Sequence, residues 1–114
     1  MAGKAAEFLA QNYLRLKGFR IVAGNYITGR GTNAGEVDII AARANLLIFV
    51  EVKKRSDLNK AAYAVSLRQQ QRIICGAKAF LQKNPQYAGY DCRFDAVLVA
   101  FPLQIKHIEN AWLS

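Results

Sequence analysis

The sequence predicts an α/β fold, a mixed central sheet flanked by helices, and three observations predict it. Apolar residues recur at helical spacing in two segments, 3–17 and 61–83. Three strand-like segments separate those helices, and one or two more follow the second. The run from Arg93 to Phe101, RFDAVLVAF, is apolar on both faces, which suits a central strand covered on two sides. A strand that follows a long helix can return parallel to an earlier one through a right-handed crossover. The order is therefore αβββαβ, with one domain over residues 1–114.

In the first helix Ala6, Leu9, Ala10, Tyr13 and Leu16 make the apolar stripe. Gly18 stops it after a basic last turn. Glu7 lies beside the stripe, as a surface charge or as a carboxylate leaning over the sheet. Phe19 to Ile27 forms the first strand, with Phe19, Ile21 and Ala23 on one face. The loop from Thr28 to Gly35 is rich in small residues. It is not a nucleotide-binding phosphate loop, which needs Gly-Lys-Ser/Thr running into a helix. It serves as a hairpin connection, or as a flap carrying Arg30 toward a backbone phosphate.

Two strands joined by a turn come next, GEVDIIAARANLLIFVEVKKRS from Gly35 to Ser56, ending in the basic run Lys53-Lys54-Arg55. In the second helix Ile73, Ala77 and Phe80 make the buried stripe, with Ile74 and Leu81 beside it. Gln70 heads that stripe, either reaching a polar group under the helix or marking where the stripe meets solvent. Arg68, Arg72, Lys78 and Lys83 fall on the wet side, and Asn84-Pro85 ends the helix. Asp95 interrupts the central strand and calls for a partner, such as a lysine or arginine from a neighbouring strand. Leu103 to Ile108 reads as an edge strand and Glu109 to Leu113 as a terminal turn. Trp112 packs there or, if exposed, stacks a base.

Composition bounds the function. An apolar fraction of 53% and two prolines argue against disorder. No apolar run is long enough to span a membrane and no signal-peptide pattern opens the chain, so a soluble cytoplasmic protein is expected. Cys75 and Cys92 are expected to be reduced thiols. With His107 alone, no Cys/His zinc site can be built. The 16 Lys and Arg residues outweigh 8 acids, for a net charge of +8. Glu7, Glu36, Asp38 and Glu51 are half of those acids. The remaining surface is so basic that a polyanion, nucleic acid, is the expected partner.

The charged half of the strand pair is the chemically informative part. Residues two apart in a strand share a face, so Glu36, Asp38, Ile40 and Ala42 are expected on one face of the second strand. Leu47, Phe49, Glu51 and Lys53 share a face of the third. A connection from Arg43 to Leu46 pairs Ala42 with Leu47 and Ile40 with Phe49. The same register sets Asp38 opposite Glu51 and Glu36 opposite Lys53, where the latter two can form an ion pair. Facing carboxylates repel or share a proton unless a cation lies between them. Hard oxygen ligands suit Mg²⁺. The alternative is a Glu36–Lys53 ion pair with Asp38 and Glu51 solvated at a sheet edge.

These residues carry a resemblance that covers nearly the whole chain. Glu7, Ala10, Tyr13-Leu14 and Lys17-Gly18 match, as do Gly35-Glu36-Val37-Asp38-Ile39-Ile40-Ala41, Phe49-Val50-Glu51-Val52-Lys53, Arg55-Ser56 and Arg93-Phe94-Asp95. The pattern resembles the YraN-like bacterial family, placed in the PD-(D/E)xK nuclease superfamily, and so implies a restriction-endonuclease-like core. The resemblance implies that Asp38, Glu51 and the Val52 carbonyl hold Mg²⁺ or Mn²⁺, that Lys53 is the catalytic lysine, and that Glu36, Glu7 and Gln70 assist. Val37 stands where the superfamily has proline, and Gln69 where the family often has lysine. The implied activity is metal-dependent hydrolysis of nucleic acid, DNA before RNA, with a junction-resolvase-like homodimer as one form. Arg30, Lys54, Arg55, Arg68 and Arg72 are the expected nucleic-acid contacts. The alternative function is a module of the same fold that binds nucleic acid without cutting it.

Overall fold

In the computed structural model the described residues are 3–29, 34–56, 65–102 and 104–113. Helix α1 (Lys4–Leu16) leads into β1 (Arg20–Thr28), β2 (Gly35–Arg43) and β3 (Leu46–Lys54). Helix α2 (Leu67–Lys83) and a short 3-10 turn, Pro85–Tyr87, then precede β4 (Asp91–Ala100) and β5 (Gln104–Trp112). The five strands form one sheet in the order β1-β2-β3-β4-β5. All neighbours are antiparallel except β3 and β4, which run parallel across the α2 connection. This is the mixed α/β architecture expected from the sequence, consistent with a restriction-endonuclease-like core. Among the described residues no helix is long and apolar enough to cross a membrane.

Each face of the sheet has its own apolar layer. Under α1, Ala6, Ala10 and Leu14 pack on Ile39, Ala41, Ile48, Val50, Val52, Val97 and Val99. Under α2, Ile73, Ala77 and Phe80 pack on Val37, Ile40, Ala42, Leu47, Phe49, Phe94 and Ala96. Both β3 and β4 therefore bury side chains on both faces, as their unbroken apolar runs require. The stripe of α1 differs from expectation at its end. Leu14 is buried and Leu16 is exposed. Six residues from Ala10 amount to well over a full turn, and the sixth swings off the face that the fourth keeps.

Three further expectations are corrected by local backbone geometry. A bulge between Ile21 and Ala23 in β1 breaks the expected face, and Val22 and Ala23 both lie against the α2 layer. In β2, Val37 and Ile40 both join the α2 layer while Ile39 and Ala41 join the α1 layer. Alternation thus slips at Asp38, and the simple shared face from Glu36 to Ala42 does not hold. The terminal turn is also absent, because β5 runs on to Trp112. A register shift opposite Asp95 and a left-handed Asn110, φ 53°, let Trp112 pair with Phe94 and stack on it at 5.6 Å.

Helix α2 begins at Leu67, later than residue 61, with the Ser66 hydroxyl accepting the Gln69 N–H at 3.2 Å. Residues 61–64 lie outside the described residues. Two glycines fix where the helix crosses β2. A Cβ on Gly35 would sit 2.7 Å from the Gly76 Cα, and one on Gly76 would sit 2.9 Å from a Val37 methyl. Strand and helix thus meet backbone to backbone. Cys75 and Cys92 are not joined in a disulfide.

Asp95 is fully buried and answers its own puzzle. Its partners are Arg93 from the same strand, bidentate at 2.8 and 2.9 Å, His107 of β5 at 2.7 Å, and the Asn110 N–H at 3.0 Å. Lys17 lies 2.9 Å from the other nitrogen of His107. An ammonium only donates, so Nδ1 accepts and Nε2–H points at Asp95. Burial pushes the Asp95 carboxyl up, but bonds from His107, Arg93 and Asn110 outweigh it and hold it below the ordinary carboxylate range.

Two outcomes are expected from the fold. Gly35→Ala should cost about 1–3 kcal/mol in chemical denaturation by overpacking against Gly76, and an unchanged midpoint would show that the helix has room to give. Asp95, with its lowered value, contributes stability that is present above the unfolded pKa of about 4 and lost as pH falls through the folded one. Asp95→Asn should therefore lose about 3 kcal/mol or more at pH 7 and show a shallower further loss in acid. Equal pH profiles for the two proteins would contradict this.

Candidate metal centre

The β2–β3 pairing runs from Arg43–Leu46 to Ile39–Val50, and includes the expected Ala42–Leu47 and Ile40–Phe49 pairs. It does not reach the expected Asp38–Glu51 and Glu36–Lys53 positions. There the Val52 N–H donates to the Asp38 carboxylate at 2.8 Å. A side chain thus takes a strand's backbone donor where strand pairing stops. Asp38 is 2% exposed and Glu51 8%, so neither is solvated at a sheet edge, the alternative left open by the sequence.

The two acids are coupled. Burial raises the Glu51 carboxyl to about 8, helped by a hydrogen bond to Asp38 and by the Asp38 charge, while Lys53 pulls the other way. One proton shared between two buried carboxylates is the expected state of such a pair. Lys53 lies 3.7 Å from Glu51, and both side chains are largely covered. Glu7, in the first turn of α1, is raised by burial and then by the charges of Asp38 and Glu36. It belongs to the same acidic field from the opposite helix.

Glu36 takes a different partner from the one expected. It pairs with Arg72 of α2 at 3.2 Å, not with Lys53. The loss of β2–β3 register beyond Ile39 removes the cross-strand partner, and the close Gly35–Gly76 crossing brings the helix within reach. Glu36, Asp38, Glu51, Gln69, Arg72 and Ile73 enclose a cavity of about 40 Å³. A single water needs roughly 10–15 Å³, so the space suits a small ion with a water or two.

Gln70 is not on this wall. Its amide donates to the Val65 carbonyl at 2.9 Å, and Gln69, one residue earlier, lines the cavity. The missed signal is spacing: 69, 72, 73 and 76 form one helical face ending at the glycine that touches β2. Arg68 and Lys54 are exposed and Arg55 is half-buried, away from this cavity. Arg30 lies outside the described residues. Val52, whose carbonyl the resemblance makes a ligand, is tied to Asp38 by its N–H.

Among the described residues no three His, Cys, Asp or Glu side chains form a ready cage. The donor set is two hard carboxylates, which fits Mg²⁺ or Mn²⁺ completed by waters or phosphate oxygens. A buried carboxyl kept protonated by its neighbour is also a position a cation relieves.

The comparisons with known proteins point one way. Residues 6–99 match the model of the uncharacterised protein family UPF0102. A UPF0102 protein of Paramagnetospirillum magneticum is 48% identical over 110 residues, covering 96% of this chain and 85% of the relative. One from Bradyrhizobium diazoefficiens is 51% identical over 110 residues, covering 96% and 80%. The chain belongs to the UPF0102 family.

A folded-state pKa above the unfolded one gives stability that is full below the unfolded value and lost as pH rises through the folded value. For Glu51 that window runs from about 4.5 to about 8. In cation-free thermal denaturation, Glu51→Gln should be more stable than the parent at pH 8 by roughly 1–3 kcal/mol. Its advantage should shrink toward pH 5, and a constant difference across that range would mean that Glu51 is ionised throughout.

Proposed function

We propose that this member of the UPF0102 family is a divalent-cation-dependent phosphodiesterase acting on nucleic acid, with DNA preferred over RNA. The observation that carries the reading is the buried Asp38–Glu51 pair, with Lys53 beside it, inside a chain of net charge +8. An acidic centre in a basic surround is the arrangement that phosphate hydrolysis needs: cation ligands at the middle and phosphate contacts around them.

Each side chain then has a role. Asp38 and Glu51 would hold Mg²⁺ or Mn²⁺, with Glu51 binding as the carboxylate. The cation, when bound, supplies Lewis-acid polarisation and offsets the charge that grows on the phosphoryl oxygens. Lys53, fixed within 3.7 Å of Glu51, orients the attacking water and stabilises negative charge in the transition state. Arg72 rests on Glu36 at 3.2 Å and can exchange that carboxylate for a phosphate with little motion. Glu7 adds to the field that draws the cation. Arg68, Lys54 and Arg55 contact backbone phosphates farther out. A homodimer would present two such centres to a branched substrate.

One observation favours a second reading, a nucleic-acid-binding module that does not cut. The shared proton and the Val52 N–H already satisfy much of the pair without a cation.

A panel of branched, flapped, duplex and single-stranded DNA and RNA, with Mg²⁺ or Mn²⁺ at pH 8, separates the two. The expected result is cleavage that chelation abolishes and that Asp38→Ala or Lys53→Ala lowers by about 100-fold or more. Salt-dependent binding without cleavage, unaffected by Glu51→Ala, would favour the binding module.

A further inference from the structure

Strands β3 and β4 run parallel and end at the same edge, with Lys54 opposite Val99. The crevice outside the carboxyl ends of parallel strands is where α/β sheets commonly bind ligands. Here it is an open groove of about 540 Å³ lined by Lys54, Arg55, Ser56 and Phe101. Phe101 is 45% exposed, an unusual position for a phenylalanine in the first residue past a buried strand. The Lys54 ammonium sits 5.1 Å from the centre of its ring. The backbone is fixed on the other side, because the Arg55 N–H donates to the Val99 carbonyl at 2.8 Å and extends the pairing past Lys54.

We propose that this groove is a stacking subsite for an unpaired nucleobase, with Phe101 as its platform and Lys54 and Arg55 on the adjoining phosphate. The inference rests on the nucleic-acid reading above and deepens it, since it names the substrate class. An aromatic face beside two cations offers both halves of a nucleotide their natural contacts, stacking for the base and charge for the phosphate. A purely apolar ligand would leave the cations unused, and a free anion would leave the ring unused. A base within a duplex already has both faces stacked, so only an unpaired or terminal base can lie on the ring. Lys54 lies three residues along β3 from Glu51, roughly 10 Å, and by strand alternation it points to the other face of the sheet, the face of Val50 and Val52. A strand that serves both the carboxylates and the ring therefore passes around the carboxyl end of the sheet.

The test is binding without any cation, in EDTA, so that cleavage plays no part. Fluorescence anisotropy would compare labelled oligothymidine, an abasic oligomer of the same length, and a covalently closed circular duplex, which has neither ends nor unpaired bases. Phe101→Ala should weaken oligothymidine binding roughly tenfold and leave the abasic and duplex affinities unchanged. Phe101→Trp should restore binding, with indole quenching on mixing beyond that of the parent protein. Lys54→Ala should weaken all three and lower the salt slope by about 1. If oligothymidine binds the parent and Phe101→Ala equally well, or if the abasic oligomer loses as much as oligothymidine, the stacking subsite is wrong and the nucleic-acid reading stands. If the parent binds none of the three, both are wrong.

Discussion

Everything at the charged end of the sheet depends on one hydrogen bond, from the Val52 N–H to the Asp38 carboxylate at 2.8 Å. Two strands that part company leave backbone donors with nothing to bond, and an unmet buried donor is costly. Asp38 answers that need. In doing so it holds β2 to β3 after their regular pairing has ended. Glu51, one residue before Val52, then meets a fixed negative neighbour and keeps its own proton. The same element that closes the sheet's hydrogen-bond account sets up the chemical tension next to it.

The contrast with Asp95 shows what partners decide. Both Glu51 and Asp95 are buried acids on adjacent parallel strands. Asp95 has four donor contacts from three residues and is held below the ordinary range. Glu51 has Lys53 at 3.7 Å, a loose contact, and Asp38 beside it, and is held above the range. Burial acts in the same direction on both, so the difference comes from the hydrogen bonds. The first acid is finished as a structural element. The second is left wanting a positive charge.

Much of this was readable from residue order, and the failures have identifiable causes. The strand and helix sequence, the Ala42–Leu47 and Ile40–Phe49 pairs, and the Ile73–Ala77–Phe80 stripe follow from periodicity and turn length alone. The meeting of Asp38 with Glu51 follows from the same register, although the backbone pairing stops just short of it. What periodicity could not carry was set by tertiary contact. The slip of alternation at Asp38 lies beside the Gly35–Gly76 crossing, which no local pattern announces. Glu36 found its partner on a helix and not across the strand. Glu109-Asn110 looked like a turn because nothing local shows that Asn110 donates to Asp95 and keeps the strand going. Gln69 and Gln70 differ by one residue, about 100° around the helix, and the true start of α2 was needed to choose between them.

The crossing of Gly35 and Gly76 has a mechanical consequence. At that point helix and strand cannot come closer, and the contact sits toward the middle of α2. It is a fulcrum. The stretch from Leu67 to Gly76 is a lever of roughly 14 Å, and Gln69, Arg72 and Ile73 ride on it. Beyond the fulcrum the helix is anchored by Ala77 and Phe80 in the core. The height of Gln69 and Arg72 above Asp38 and Glu51 is thus set by a buried contact between two residues that have no side chain.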